Sequence, residues 1–207
     1  MRTIGVVGPT GAGKSLVLRM LASLGAATIE ADDLSRELLQ PGAPLTQRIR
    51  AEFGDRFLCS DGSLKRGELA ALIFSDEAAR VRLNGIMYPA MVDLLRARLV
   101  ALEASAAPPE LVAVEAANLL EMGGDRHVDV IVAVEAAQEI RRRRLEDRDG
   151  LSPDAALERI GAHSAAGLDR PDADFFIRND GEEGSLATQV EQLYRRVTAD
   201  GAVSSRD

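Results

Sequence analysis

Gly8-Pro9-Thr10-Gly11-Ala12-Gly13-Lys14-Ser15 matches G-x-x-x-x-G-K-[ST] at every fixed position. On its N-terminal side lies a β-branched and apolar run, residues 3–7, that reads as a strand. On its C-terminal side, Leu16, Val17, Met20, Leu21 and Leu24 recur at helical spacing, and Gly25 supplies a stop. The segment is therefore expected to be a strand, a loop and a helix in succession, the setting in which glycines let backbone N–H groups converge on phosphate oxygens at a helix N-terminus. Gly8, Thr10, Gly11, Ala12, Gly13, Lys14 and Ser15 are the expected phosphate-binding residues. Lys14 would reach the β- and γ-phosphates of a nucleoside triphosphate, and the Ser15 hydroxyl would ligate Mg²⁺.

Working outward, strand candidates at residues 3–7, 26–29, 111–114, 128–134 and 175–177 alternate with longer stretches of helical period, the pattern of a mostly parallel five-stranded sheet covered by helices on both faces, an α/β fold of three layers. The second and third candidates are about eighty residues apart, far more than one crossover needs, so a helical insertion is expected there. Pro41-Gly42 and Asp61-Gly62 punctuate it, and Asp76 caps a long apolar-periodic stretch that runs to about residue 102. Residues 138–148 and 152–162 flank the turn Asp149-Gly150 and form a helical hairpin, with Ser152-Pro153 as cap and first helical position. A last helix covers 185–197, followed by a polar tail over 199–207. These divisions predict a nucleotide-binding core at 1–32 and 108–207, including a lid at about 138–165, and an inserted helical acceptor-binding subdomain at 33–107.

Composition excludes several classes. A formal net charge of −8 argues against a generic nucleic-acid binder, and 3% aromatic content without tryptophan leaves few stacking platforms for single strands. No apolar run approaches the roughly 20 residues of a membrane helix. The N-terminus has no cleavable leader pattern, and Cys59 is the single cysteine, so the expected setting is the cytoplasm and no zinc cluster is built from thiolates. Oligomeric state is not legible here. There is no N-K-x-D signal for guanine, which turns the nucleotide reading toward ATP.

Ligands of an open parallel sheet bind outside the carboxyl ends of its strands, which directs attention to the acids found there. The second strand runs into Glu30-Ala31-Asp32-Asp33. A carboxylate at this point can accept the proton of an attacking hydroxyl, or it can cap the helix beginning near Leu34; Asp33 suits the cap, which leaves Asp32 for the site. Glu115 ends the third strand, where it can hold Mg²⁺ directly or through water, or be an exposed strand-end acid. In the lid, Arg143 follows Glu139 and Arg142 precedes Glu146 at i,i+4, so both read as paired surface. Arg144 and Arg148 are four apart and repel unless an anion comes between them, which makes them the phosphate-clamp candidates, with Asp147 as an alternative partner of Arg144.

At this point the chain resembles the dephospho-coenzyme A kinases over most of its length. The carriers are Gly5 through Ser15, Gly25-Ala26 with Ile29-Glu30-Ala31-Asp32 and Ser35-Arg36, Pro41-Gly42, Phe53-Gly54, Asp61-Gly62-Ser63-Leu64, Arg148-Asp149-Gly150-Leu151-Ser152 and Ile177-Arg178-Asn179-Asp180-Gly181. The resemblance implies a P-loop enzyme that phosphorylates the ribose 3′-hydroxyl of dephospho-CoA with ATP and Mg²⁺, the last step of CoA synthesis. It further implies Asp32 as catalytic base, Lys14 and Arg148 as charge stabilisers at the transferring phosphoryl, Arg36 in the acceptor pocket, and Asn179 and Gly181 bordering the adenine. The pattern departs where the family's long helix usually carries His-Pro and then Arg: here it reads Tyr88-Pro89-Ala90-Met91-Val92, which puts Tyr88 on the acceptor side. The third-strand acid is Glu115 instead of Asp, and His163 stands where a Gln is usual in the second lid helix. A kinase of another small hydroxyl acceptor, such as a nucleoside or nucleotide, and a nucleotide-binding regulatory module are the alternatives.

Overall fold

The computed structural model describes residues 1–165, 172–181 and 183–199. The side chain of His163 and the polar tail beyond residue 199 lie outside what it describes.

Among the described residues five strands, β1 (Arg2–Val7), β2 (Ala27–Glu30), β3 (Leu111–Glu115), β4 (Val130–Glu135) and β5 (Phe175–Arg178), lie in the order β2-β3-β1-β4-β5. β1 pairs in parallel with β3, with Arg2 opposite Leu111, and with β4, with Ile4 opposite Val130; β4 pairs in parallel with β5, with Val132 opposite Phe175. Both faces of the central strands are covered, which is why their residues are apolar in succession instead of alternating. Ile4, Val6, Val7 and Val132 are fully buried. Helices α1 (Lys14–Ser23) and, at the C-terminal end, α8 (Glu183–Ala199) contribute Val17, Leu21, Leu186, Val190 and Leu193 to the same core. Each such side chain contributes about 1.5–3 kcal/mol on burial.

β4 begins two residues later than the apolar run suggests. Val128 closes a turn onto the Asp125 carbonyl, and the Asp129 carboxylate accepts the Thr3 N–H at 2.7 Å, standing in for a strand carbonyl. Asp174 does the same for Ile131 at 2.7 Å, at the start of β5. From β1 the chain goes first to the β3 side of the sheet and later returns to the β4 side, so the carboxyl end of β1 is the topological switch point where ligands of such sheets bind.

The chain divides into two compact units, 1–29 with 101–207, and 30–100. The second contains α2 (Ala31–Leu38), α3 (Pro44–Phe53), α4 (Arg66–Ser75) and most of α5 (Glu77–Glu103). Its own core gathers Ile49, Phe57, Leu64, Leu69 and Leu83, with Phe53 edge-on to Phe57 at 6.3 Å. Asp76 caps α5 by accepting the Ala79 N–H at 3.0 Å, and the helix continues through Pro89. In the first unit, α6 (Gln138–Asp149) and α7 (Pro153–Ala165) form the hairpin expected from Gly150, which takes φ 65° at the turn. Leu145, Ala156 and Ile160 hold the pair together. Among the described residues no helix is long and apolar enough to cross a membrane.

Candidate active site

Gly8 to Gly13 leave the buried end of β1 and turn into α1. Gly13 occupies the N-cap position with φ 96°, contributes no capping side chain, and the first turn of α1 carries no acidic residue. An anion is the natural complement to such an end, because the first-turn N–H groups and the helix dipole both favour negative charge. Ala12 N–H donates to the Pro9 carbonyl at 3.2 Å and closes the loop on itself.

Lys14 and Ser15, at the start of α1, meet the end of β3. Lys14 Nζ lies 3.8 Å from Glu115 Oε1 and donates to the Pro9 carbonyl at 3.4 Å, and Ser15 Oγ donates to Glu115 Oε2 at 3.4 Å. The Lys14 and Glu115 side chains are only 10% and 16% exposed, so Glu115 is not the surface acid that its position alone allowed. A hydroxyl and a carboxylate side by side are hard oxygen donors of the kind Mg²⁺ takes together with phosphate oxygens and water. Among the described residues no three His, Cys, Asp or Glu side chains stand close enough to hold a metal, so a cation at Ser15 and Glu115 would draw its other ligands from substrate and solvent.

Behind the loop lies α6. Arg141 is 6% exposed and donates from Nε to the Thr10 carbonyl at 2.9 Å. Arg144 Nη1 donates to the Gly11 and Ala12 carbonyls at 3.3 and 3.2 Å, and its Nη2 donates to the Asn179 carbonyl and Oδ1 at 3.1 and 2.9 Å. Asn179 follows β5, is 4% exposed, and donates from Nδ2 to the Ala12 carbonyl at 2.8 Å. Arg144 thus spends its donors on the loop and Asn179, not on Asp147. Burial pushes its guanidinium pKa below the ordinary value, and the nearby Asp180 acts in the opposite direction. Arg148, one turn further on, is 63% exposed on its side chain and forms a two-point pair with Asp149 at 2.7 and 2.9 Å; Asp149 also takes Arg159 at 2.8 Å. Hydrogen bonds from Arg148 hold the Asp149 carboxyl below its usual range. Arg142 pairs with Glu139 and Glu146, and Arg143 with Glu139 at 3.0 Å, as their spacing predicts. Gly181 lies on an exposed turn at φ 116°.

In the 30–100 unit, Asp32 is exposed in the first turn of α2. Asp33 is not the cap expected of it: α2 starts at Ala31 with Glu30 in the N-cap position, because the helix begins directly where β2 stops. Asp33 instead pairs with Arg36 at 2.8 Å, one turn on. Tyr88 is half-buried on α5.

Two features escaped the sequence reading. Arg141 opens a run of four arginines, yet it lies four residues before the fully buried Leu145, so helical spacing already puts it on the inward face. Asn179, expected near adenine, turns its side chain to the loop backbone, which local sequence does not reveal.

The close approach has a testable cost. A Cβ on Gly13 would come 2.1 Å from Asn179 Nδ2, on a backbone whose φ of 96° already disfavours any side chain. Gly13→Ala should lower stability by about 2 kcal/mol or more and displace Asn179, read as a drop in thermal midpoint together with loss of nucleotide affinity.

A parallel sheet with a glycine loop at its switch point, a lysine and serine opening the following helix, and an acid at the neighbouring strand end define a P-loop kinase fold. The dephospho-CoA kinase family model matches residues 2–184. A dephospho-CoA kinase of Syntrophotalea carbinolica is 40% identical over 95% of this chain and 92% of its own length, and one of Leifsonia xyli is 38% identical over 96% of each. Among solved structures, TT1252 of Thermus thermophilus superposes with a TM-score of 0.75 at 27% identity, covering 95% of this chain and 98% of its own. A dephospho-CoA kinase of Campylobacter jejuni gives 0.67 at 20% identity, covering 96% and 98%, and so speaks to the fold alone. The chain belongs to the dephospho-CoA kinase family.

Proposed function

We infer that this protein transfers the γ-phosphoryl group of ATP to the 3′-hydroxyl of dephospho-CoA, releasing CoA and ADP. The observation that carries this reading is the convergence of Lys14, Ser15 and Glu115 at the loop's mouth in a chain of this family. In the proposed reaction the hydroxyl oxygen bonds to the γ-phosphorus while the bond to the β,γ-bridging oxygen breaks. ADP departs, and the hydroxyl proton passes to Asp32. The loop amides and Lys14 hold the phosphates and answer the charge that spreads over the equatorial oxygens. Ser15 and Glu115 would hold Mg²⁺, which when bound neutralises phosphate charge. Arg148, which pairs with the carboxylate of Asp149, would exchange that contact for the transferring phosphoryl. Asn179 and Gly181 would border the nucleotide's base side, and the 30–100 unit, with Arg36 and Tyr88, would take the acceptor. We place the enzyme in the cytoplasm, where the lone, exposed Cys59 stays reduced.

The direct test is incubation of the pure protein with ATP, Mg²⁺ and dephospho-CoA and detection of CoA by mass, with parallel arms offering nucleosides and nucleotides as acceptors. CoA is expected, at a rate that collapses on chelation of Mg²⁺. ADP release with another acceptor alone would replace dephospho-CoA in this scheme, and ATP binding without any acceptor-dependent ADP would replace the enzyme by a regulatory module.

A further inference from the structure

We propose that Arg141, Arg144 and Asn179 form a brace that fixes the phosphate loop in its anion-binding conformation, so that Arg144 is a positioning residue and not a clamp on the transferring phosphoryl. The proposal rests on the nucleotide-binding reading above and deepens it.

Three consecutive loop carbonyls, those of Thr10, Gly11 and Ala12, accept hydrogen bonds from these side chains, at 2.9 Å from Arg141, 3.3 and 3.2 Å from Arg144, and 2.8 Å from Asn179. In a planar trans peptide the carbonyl of one residue and the N–H of the next point in opposite directions. Pinning the Thr10 and Ala12 oxygens toward α6 and Asn179 therefore turns the N–H groups of Gly11 and Gly13 to the other side. The peptide between Gly11 and Ala12 is fixed at both ends, since its N–H is committed to the Pro9 carbonyl. A guanidinium on a carbonyl also polarises the peptide and strengthens the N–H opposite it as a donor.

The brace is itself anchored. Asn179 N–H donates to the Glu135 carbonyl at 2.8 Å, which ties the residue to the end of β4, and Arg141 shares a helix face with the fully buried Leu145. A Cβ on Gly11 would lie 2.9 Å from the Arg141 carbonyl oxygen, so the backbone of α6 is in contact with the loop as well. Arg144 directs both terminal nitrogens at four protein oxygens, and a clamp on the γ-phosphoryl would have to give these up. The Arg148 side chain, by contrast, is mostly exposed, and it pairs with its immediate neighbour Asp149.

The two roles separate by the nucleotide they favour. A brace serves every phosphate the loop wraps, so its loss weakens ATP and ADP alike, whereas a clamp on the γ-phosphoryl matters to ATP alone. Titration calorimetry with ATP and with ADP on Arg141→Met and Arg144→Met should show both affinities falling by about tenfold to a hundredfold, with the ATP:ADP ratio near that of the unmodified protein. The KM for dephospho-CoA should stay within about twofold, since the hydrogen bonds that define the brace go to the phosphate loop. Circular dichroism checks that the variants fold; if either methionine variant does not, Arg141→Lys and Arg144→Lys, which keep stem and charge and lose the fork, should show the same parallel loss at smaller size. A loss confined to ATP in Arg144→Met, or unchanged ADP affinity in both variants, overturns the brace. An unmodified protein that binds neither nucleotide would instead sink the reading on which the proposal rests.

Discussion

Lys14→Ala should reduce turnover by about a thousandfold or more and weaken ATP binding measurably, an effect set by where the ammonium lies as much as by its charge. Lys14 Nζ is 3.4 Å from the Pro9 carbonyl and 3.8 Å from Glu115 Oε1, with only a tenth of its side chain exposed. Charges in so sheltered a place interact with about 4 kcal/mol at 4 Å for an effective dielectric near 20. Alanine removes that attraction for incoming phosphates while the Glu115 carboxylate stays, so the variant both loses a cation and presents an anion to the nucleotide. Lys14→Arg should not restore turnover, because a planar fork does not fit the space of a compact ammonium that already bonds a loop carbonyl. Steady-state kinetics with ATP titration measures both quantities. ATP affinity equal to that of the unmodified protein in Lys14→Ala would mean that the loop does not hold the triphosphate, and the whole assignment would fall with it.

How much of this was legible beforehand differs from one residue to the next, for physical reasons. The motif at Gly8 to Ser15 and the β1–loop–α1 succession were readable because period and spacing are local: a buried parallel strand must be apolar throughout, and its helix must show an apolar stripe. The Gly150 turn, the Asp76 cap and the Glu139, Arg142, Arg143 and Glu146 pairs were readable for the same reason, each being settled within four residues. The start of β4 was misjudged because Val128 and Asp129 are apolar and polar in the right alternation yet serve a turn and the Thr3 amide. Asp33 was misjudged because a helix that begins directly on a strand leaves no position for a separate cap. Arg144 meets Asn179 across 35 positions and Asn179 meets Ala12 across 167, and no periodicity encodes a contact made by sheet order. The phosphate-binding loop is written in local sequence; what holds that loop in shape is written only in the fold.

Asp32→Asn should lower kcat by about 10²- to 10⁴-fold while leaving ATP affinity within about twofold, the signature of a proton acceptor that takes no part in holding the donor nucleotide. Asp32 and Asp33 are adjacent, both exposed, and both in the first turn of α2, so composition and exposure do not separate them; their partners do. Asp33 is engaged by Arg36 at 2.8 Å, and an exposed pair of this kind contributes well under 1 kcal/mol, so Asp33→Asn should change stability and kcat little. Asparagine keeps the size of Asp32 and its ability to bond a hydroxyl, but it cannot take the proton, and a contribution from mere positioning would survive the substitution. The comparison therefore isolates basicity from placement. Phosphoryl transfer through a loose transition state asks little of a base until the P–O bond has largely formed, which is why the lower end of the range, about a hundredfold, is still compatible with the role. Equal turnover in Asp32→Asn and the unmodified enzyme would move the proton to another acceptor, whereas a fall in Asp33→Asn as large as in Asp32→Asn would give Asp33 a part in the reaction beside Asp32.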